Sequence, residues 1–143
     1  MNDVYEKLNR IVEGYQEEMI DVLGAFIKIP SITEHRLEVK EALNFILDAG
    51  IKSGFRATSL LDREVGLIEM GQGEETLGIL AHVDVVNEGD PNKWQTPPFE
   101  AALIEGKLFG RGAVDDKGPV VAALYAMKAV SQLAKDEKKS FFK

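Results

Sequence analysis

Residues 76–86, TLGILAHVDVV, are the most restrictive stretch of this chain. The run is bounded by glycine and polar residues and reads as the strongest strand in the sequence. It falls well short of the ~20 apolar residues that a membrane-spanning helix needs. Residues two apart on a strand point to the same face, so His82 and Asp84 emerge together at its end, just before a long loop. Sites built on α/β sheets gather at the carboxyl ends of strands. A metal-ligating histidine needs its second ring nitrogen fixed, and Asp84 stands where it can do that. A histidine held for structural reasons satisfies the same short pattern, so the pair alone leaves both readings open.

The remaining elements alternate around this strand. Residues 3–28 carry Val4, Leu8, Ile11, Tyr15, Met19, Leu23 and Phe26 at helical spacing and predict one long amphipathic helix, stopped by Pro30. Ser31 and Glu34 in SITE match a capping box, which predicts a second helix to about Gly50 with Leu37, Leu43 and Ile46 on its apolar face. RATSLL and VGLIEM read as short strands, and FEAALIEGKLFG as a hairpin around Glu105 and Gly106. Gly118 and Pro119 open a third helix, with proline at its first position. The tail AKDEKKSFFK reads as a charged connection into Phe141 and Phe142, the first residues of another strand. Helices alternating with strands predict a layered α/β domain in which helices pack on a mixed sheet.

Composition narrows the partners. The net charge of −7 offers no basic patch for nucleic acid or an anionic membrane. With no cysteine there is neither a disulfide nor a thiolate site, in keeping with a reducing cytoplasm. The N-terminus MNDVYEKLNR is charged and has no signal-peptide apolar region.

The second chemical feature is GRGAVDDKGP, residues 110–119. Phosphate binding does not fit it: the P-loop spacing is absent, and carboxylates repel phosphate. Two readings of Asp115 and Asp116 remain. One is a solvated turn flanked by Arg111 and Lys117. The other is a metal site, where a cation offsets the repulsion between the carboxylates and glycines let the backbone turn tightly.

Taken in order, LAHVDVV, a tryptophan turn with W-x-x-x-P-F, a hairpin and KLFGRGAVDDKGP resemble the catalytic domain of the M20 family of metallopeptidases. FIKIPSIT resembles that family's opening, and DDKGP its dipeptidase branch. The resemblance implies a partial zinc-peptidase-like domain over residues 1–143, without the family's lid and dimerisation domain. It implies that His82 and Asp115 are metal ligands, Asp115 bridging two zinc ions, and that Asp84 is the catalytic-site aspartate orienting His82. It gives Asp116 no ligand role and implies that the Asp115–Asp116 peptide is often cis. The implied reaction is hydrolysis of dipeptides or short peptides by a metal-activated water.

The family's general base and remaining ligands have no counterpart here, and His35 matches no ligand and reads as a surface residue. A catalytic zinc takes three protein ligands. The expectation is therefore an isolated chain that is inactive and binds zinc weakly or not at all. An open sheet edge is expected to self-associate or pair with another chain. Two other functions stay in view: a non-catalytic remnant or interaction module, and a fragment of an N-acyl amino acid deacylase.

Overall fold

The computed structural model describes residues 2–137. Its first two elements, α1 (Asn2–Gly14) and α2 (Gln16–Ile27), replace the single long helix expected from the pattern. Glycine is a poor helix former at position 14, and the Tyr15 N–H turns back to the Val12 carbonyl at 3.0 Å, one residue short of the α-helical partner. The apolar periodicity crosses the break unchanged, which is why it read as one helix.

Helix α3 (Arg36–Lys52) begins later than the capping-box reading placed it, with His35 as an uncapped N-cap. The reason is that Ser31 is engaged elsewhere. Its hydroxyl is buried and donates to the Val83 carbonyl at 2.7 Å, while Ile32 forms a parallel bridge with Val85. Leu43 and Ile46 are buried on α3 as expected, but Leu37 is exposed. At 3.6 residues per turn, Leu37 lies about 120° around the helix from Leu43 and leaves the apolar stripe. His35 is exposed, as expected.

Strands β1 (Arg56–Leu60) and β2 (Val65–Glu69) form an antiparallel hairpin on α3. A second hairpin, β3 (Ala102–Ile104) with β4 (Lys107–Phe109), turns through Glu105 and Gly106, both at positive φ. That pair of left-handed residues is the type I′ geometry that favours glycine. The last helix, α4 (Lys117–Asp136), starts two residues before Pro119, so the proline sits in the first turn where its missing N–H has no partner to lose. It continues through Lys135 and Asp136, residues assigned by sequence to a connection. Phe141 and Phe142 lie outside the described residues.

The main departure is residues 76–86. They form no ladder; among the described residues their one strand-type pairing is a parallel bridge between Val85 and Ile32. A strand exists by its hydrogen-bonded neighbours, and none of the described strands pairs with residues 77–82. Leu77, Ile79 and Leu80 are consequently exposed, Leu80 fully. They border a groove of about 870 Å³ walled by β2 and floored by α3 and α4, with His82 and Asp84 in its lining. The fold is α/β as expected, and among the described residues parallel pairing is confined to that bridge.

Helices α1 and α2 run antiparallel to α4, a direction fixed by successive contacts. Lys7 pairs with Glu137 at 2.8 Å, and Tyr15 packs edge-on against Tyr125 with centroids 5.5 Å apart. Lys128 pairs with Glu18 at 2.8 Å and lies 4.4 Å from the Tyr125 ring centroid. Phe26, Leu43, Ile46, Val121 and Leu124 close the core between α2, α3 and α4. Burying a side chain the size of Phe26 contributes about 2–3 kcal/mol.

At the end of α2 sits a fully buried charge. Lys117 Nζ donates to the carbonyls of Phe26 at 2.9 Å and Ile29 at 2.6 Å, and lies 5.0 Å from the Phe26 ring centroid. Carbonyls at a helix C-terminus lack helical partners and attract cations. Burial pushes the Lys117 pKa down to about 8 from 10.5. Between those values the unfolded chain binds more protons than the folded one, so this group adds stability as pH rises through that window. Lys117→Met is expected to lower stability by about 2 kcal/mol at pH 7, read as a smaller urea midpoint. The gap should widen from pH 8 toward pH 10; an unchanged midpoint, or a gap independent of pH, contradicts the assignment.

Candidate metal centre

Two segments meet at this site, with His82 on one and Asp115 on the other, 33 positions apart in sequence. One is residues 82–85, held by residues 31–33: Val85 N–H donates to the Ser31 carbonyl at 2.8 Å, and Thr33 N–H to the Val85 carbonyl at 3.0 Å. The other is the turn from Gly110 into α4. Gly112 adopts φ of 87°, and a Cβ there would stand 2.8 Å from Val85 Cγ1. Glycine is thus required both for the left-handed backbone and for the close approach of the turn to residue 85. At Gly118 an added Cβ would strike the Ala113 carbonyl oxygen.

His82, Asp84, Asp115 and Asp116, all named in the two motifs, come together here. His82 Nδ1 lies 3.0 Å from the Asp84 carbonyl and 3.2 Å from Asp84 Oδ1. Both are acceptors, so a proton on Nδ1 satisfies them, and in that tautomer Nε2 is the nitrogen available to a ligand. Nε2 faces Asp115 Oδ1 at 3.1 Å. The Asp115–Asp116 peptide is cis. Asp116 Oδ2 accepts the His82 backbone N–H at 3.0 Å.

Ligand atoms of His82, Asp115 and Asp116 all lie within 4.8 Å of one another. A tetrahedral ion with bonds of about 2.0–2.1 Å separates its ligand atoms by about 3.3 Å. The 3.1 Å between Nε2 and Oδ1 is near that value and is also that of an ordinary hydrogen bond. Three carboxylates around one imidazole also leave negative charge that a cation offsets. Burial works against protonation of His82, but the Asp84 carbonyl and the charges of Asp116, Asp84 and Asp115 outweigh it and raise its pKa above 6.5. A metal ion bound at His82 would compete with that proton for the ring.

Several supporting contacts were not readable from the sequence. Asp116 anchors the backbone of His82, Ser31 holds the Val83 carbonyl, and Thr33 Oγ1 donates to Asp84 Oδ2 at 2.8 Å. Lys117 fixes the start of the helix that follows the doublet. Ser31 and Thr33 lie about 50 positions from their partners, and no local spacing signals such contacts. Outside the site, Arg111 lies over the Trp94 ring at 5.0 Å, joining the tryptophan loop to the glycine-rich turn.

A model of the peptidase family M20/M25/M40 matches residues 78–141. A protein of Staphylococcus epidermidis named as a candidate dipeptidase is 37% identical over 134 residues, covering 87% of this chain. This chain spans 28% of that relative's length. Human carnosine dipeptidase 1 superposes with a TM-score of 0.69 at 26% identity, covering 88% of this chain and 31% of its own. The M20 family metallo-carboxypeptidase Sso-CP2 of Sulfolobus solfataricus gives 0.72 at 28% identity, covering 84% of this chain and 28% of its own. No described helix is long and apolar enough to cross a membrane. On the family match, the relative's identity and the shared fold together, the chain belongs to the M20 peptidase family.

Proposed function

We propose that this chain supplies part of a two-zinc site that hydrolyses dipeptides or short peptides, and that the isolated chain is inactive. The observation that carries the proposal is the meeting of His82 Nε2 with Asp115 Oδ1, while the other ring nitrogen is held by Asp84. In this reading His82 and Asp115 hold the metal, Asp115 as the bridge between two ions. Asp84 sets the ring's orientation, and Asp116 fixes the backbone that carries it. Bound zinc supplies Lewis acidity and lowers the pKa of an attacking water. Dipeptidase names among the relatives favour a peptide substrate over an N-acyl amino acid. We propose residues 1–143 to be one portion of the catalytic domain, working in the cytoplasm.

Inactivity follows from ligand number. Full sets of four protein ligands hold structural zinc with about 10–16 kcal/mol, or about 2.5–4 per ligand. His82 and Asp115 together then supply at most about 5–8 kcal/mol, a dissociation constant of about 1–200 µM or weaker. Zinc titration of the chain in the presence of a dipeptide is expected to give binding in that range without hydrolysis. Asp115→Ala should weaken binding about a hundredfold. Affinity should be flat at high pH and fall as pH drops through the His82 pKa, with the loss beginning above 6.5 because that pKa is raised. Zinc-dependent turnover abolished by Asp115→Ala contradicts the inactivity, and binding indifferent to His82→Ala contradicts the site.

A second reading, an interaction module, draws on the exposed Leu77, Ile79 and Leu80 beside the groove. We propose that this edge pairs with further chain, in self-association or with a separate partner. Light scattering behind size exclusion is expected to give a mass that rises with concentration. A monomer at every concentration tested counts against pairing between copies.

A further inference from the structure

The two segments that meet at the site are also tied together outside it. Glu88 lies four positions after Asp84, and Arg111 four positions before Asp115. Arg111 Nη2 donates to the Glu88 carbonyl at 3.3 Å, and Trp94 Nε1 donates to the same oxygen at 2.8 Å. The guanidinium stands over the Trp94 ring, its Cζ 5.0 Å from the centroid. The Arg111 backbone N–H donates to the Pro98 carbonyl at 2.6 Å. Arg111 Nε and Glu88 Oε2 are both buried without a hydrogen-bond partner, so the tie runs through the Glu88 main chain and not through these atoms. It consists of one charged N–H on a carbonyl and a cation over an aromatic face.

Arg111 and Lys117 bracket the aspartate doublet, and each anchors one end of the turn. Lys117 fixes the end that runs into α4, through the carbonyls of Phe26 and Ile29. In the middle, Gly112 brings the turn against Val85, a contact that sets a distance but no direction. The Arg111 tie supplies the direction at the entering end. The bond that responds to it is the one across the gap, from the His82 backbone N–H to Asp116 Oδ2 at 3.0 Å. We propose that Arg111 is a positioning residue: its guanidinium, held by the Glu88 carbonyl and the Trp94 ring, sets the glycine-rich turn against residues 82–85 and keeps Asp115 and Asp116 opposite His82. Its hydrogen bonds go to Glu88 and Pro98, so it acts on the site through the main chain. The assignment rests on the metal-site reading for its purpose, but the bond it governs exists in the metal-free chain.

Amide hydrogen exchange of the full chain, followed by NMR at one fixed pH without metal, reads that bond. The His82 N–H is expected to be protected in the unaltered chain. Arg111→Met, which keeps an unbranched side chain over the ring, should speed its exchange roughly tenfold, the scale of one lost hydrogen bond to a charged group. Removing a positive charge by itself slows base-catalysed exchange, so the expected change runs against the electrostatic effect. The Val85 N–H, bonded to the Ser31 carbonyl, should not change. Arg111→Lys returns a charged donor and should restore the slow exchange of His82. Trp94→Leu dismantles the tie from its other side and gives the same reading if the methionine variant does not fold. A methionine or leucine variant that folds and leaves His82 exchange unchanged overturns the assignment. So does a lysine variant that exchanges as fast as the methionine one, or a Val85 N–H that speeds up equally. Zinc is then added as a separate arm, and its affinity by calorimetry should fall about tenfold in Arg111→Met. A methionine variant that binds zinc as tightly as the unaltered chain overturns the positioning role. If the unaltered chain binds no zinc, the metal-site reading fails while the exchange result stands on its own.

Discussion

The buried ammonium of Lys117 is the interaction on which fold and site both depend. Its two carbonyl acceptors lie at and just beyond the end of α2, and its own backbone begins α4. The same residue follows the Asp115–Asp116 doublet directly, and its N–H donates to the Gly112 carbonyl at 3.0 Å. One side chain thus ties the helix pair to the turn that presents the carboxylates. A lysine buried this way is unfavourable unless hydrogen-bonded, and the helix end supplies acceptors that need a donor. The glycines at 112 and 118 complete the arrangement by removing the side chains that would push the turn away from residue 85 and from the helix start.

From that junction the electrostatics of the site follow. Three carboxylates converge on one exposed imidazole, and the hydrogen bonds give each a separate task. Asp84 takes one ring nitrogen, Asp115 faces the other, and Asp116 takes the main chain. The result is an imidazole whose outward nitrogen attracts cations, protons included. In water such a cluster at the surface repels itself, so it persists because main-chain bonds on both sides hold its members.

How much of this was legible depended on the range of the interactions. The H-x-D pair and the aspartate doublet were found from spacing within single segments, and their juxtaposition came from resemblance to a family. The Glu105–Gly106 hairpin was readable because a two-residue turn carries its own chemistry. The capping box at Ser31 misled because a hydroxyl that can cap a helix can equally reach Val83, and only tertiary structure decides. The break at Gly14 was hidden because apolar periodicity survives a short helical dislocation. Residues 76–86 were read as the strongest strand from side chains alone, whereas a strand is made by its neighbours. Lys117 gave no signal: a lysine between an aspartate and a glycine reads as surface charge, and its burial follows from where α2 ends.

The central claim is that His82 and Asp115 form the metal-holding pair of this chain. Anomalous X-ray scattering at the zinc edge, from crystals of the chain grown with zinc, tests it most directly. The account predicts an anomalous peak bonded to His82 Nε2 and to a carboxylate oxygen of Asp115, with Asp84 still on Nδ1. Zinc held elsewhere, with His82 and Asp115 still in direct contact, would contradict it.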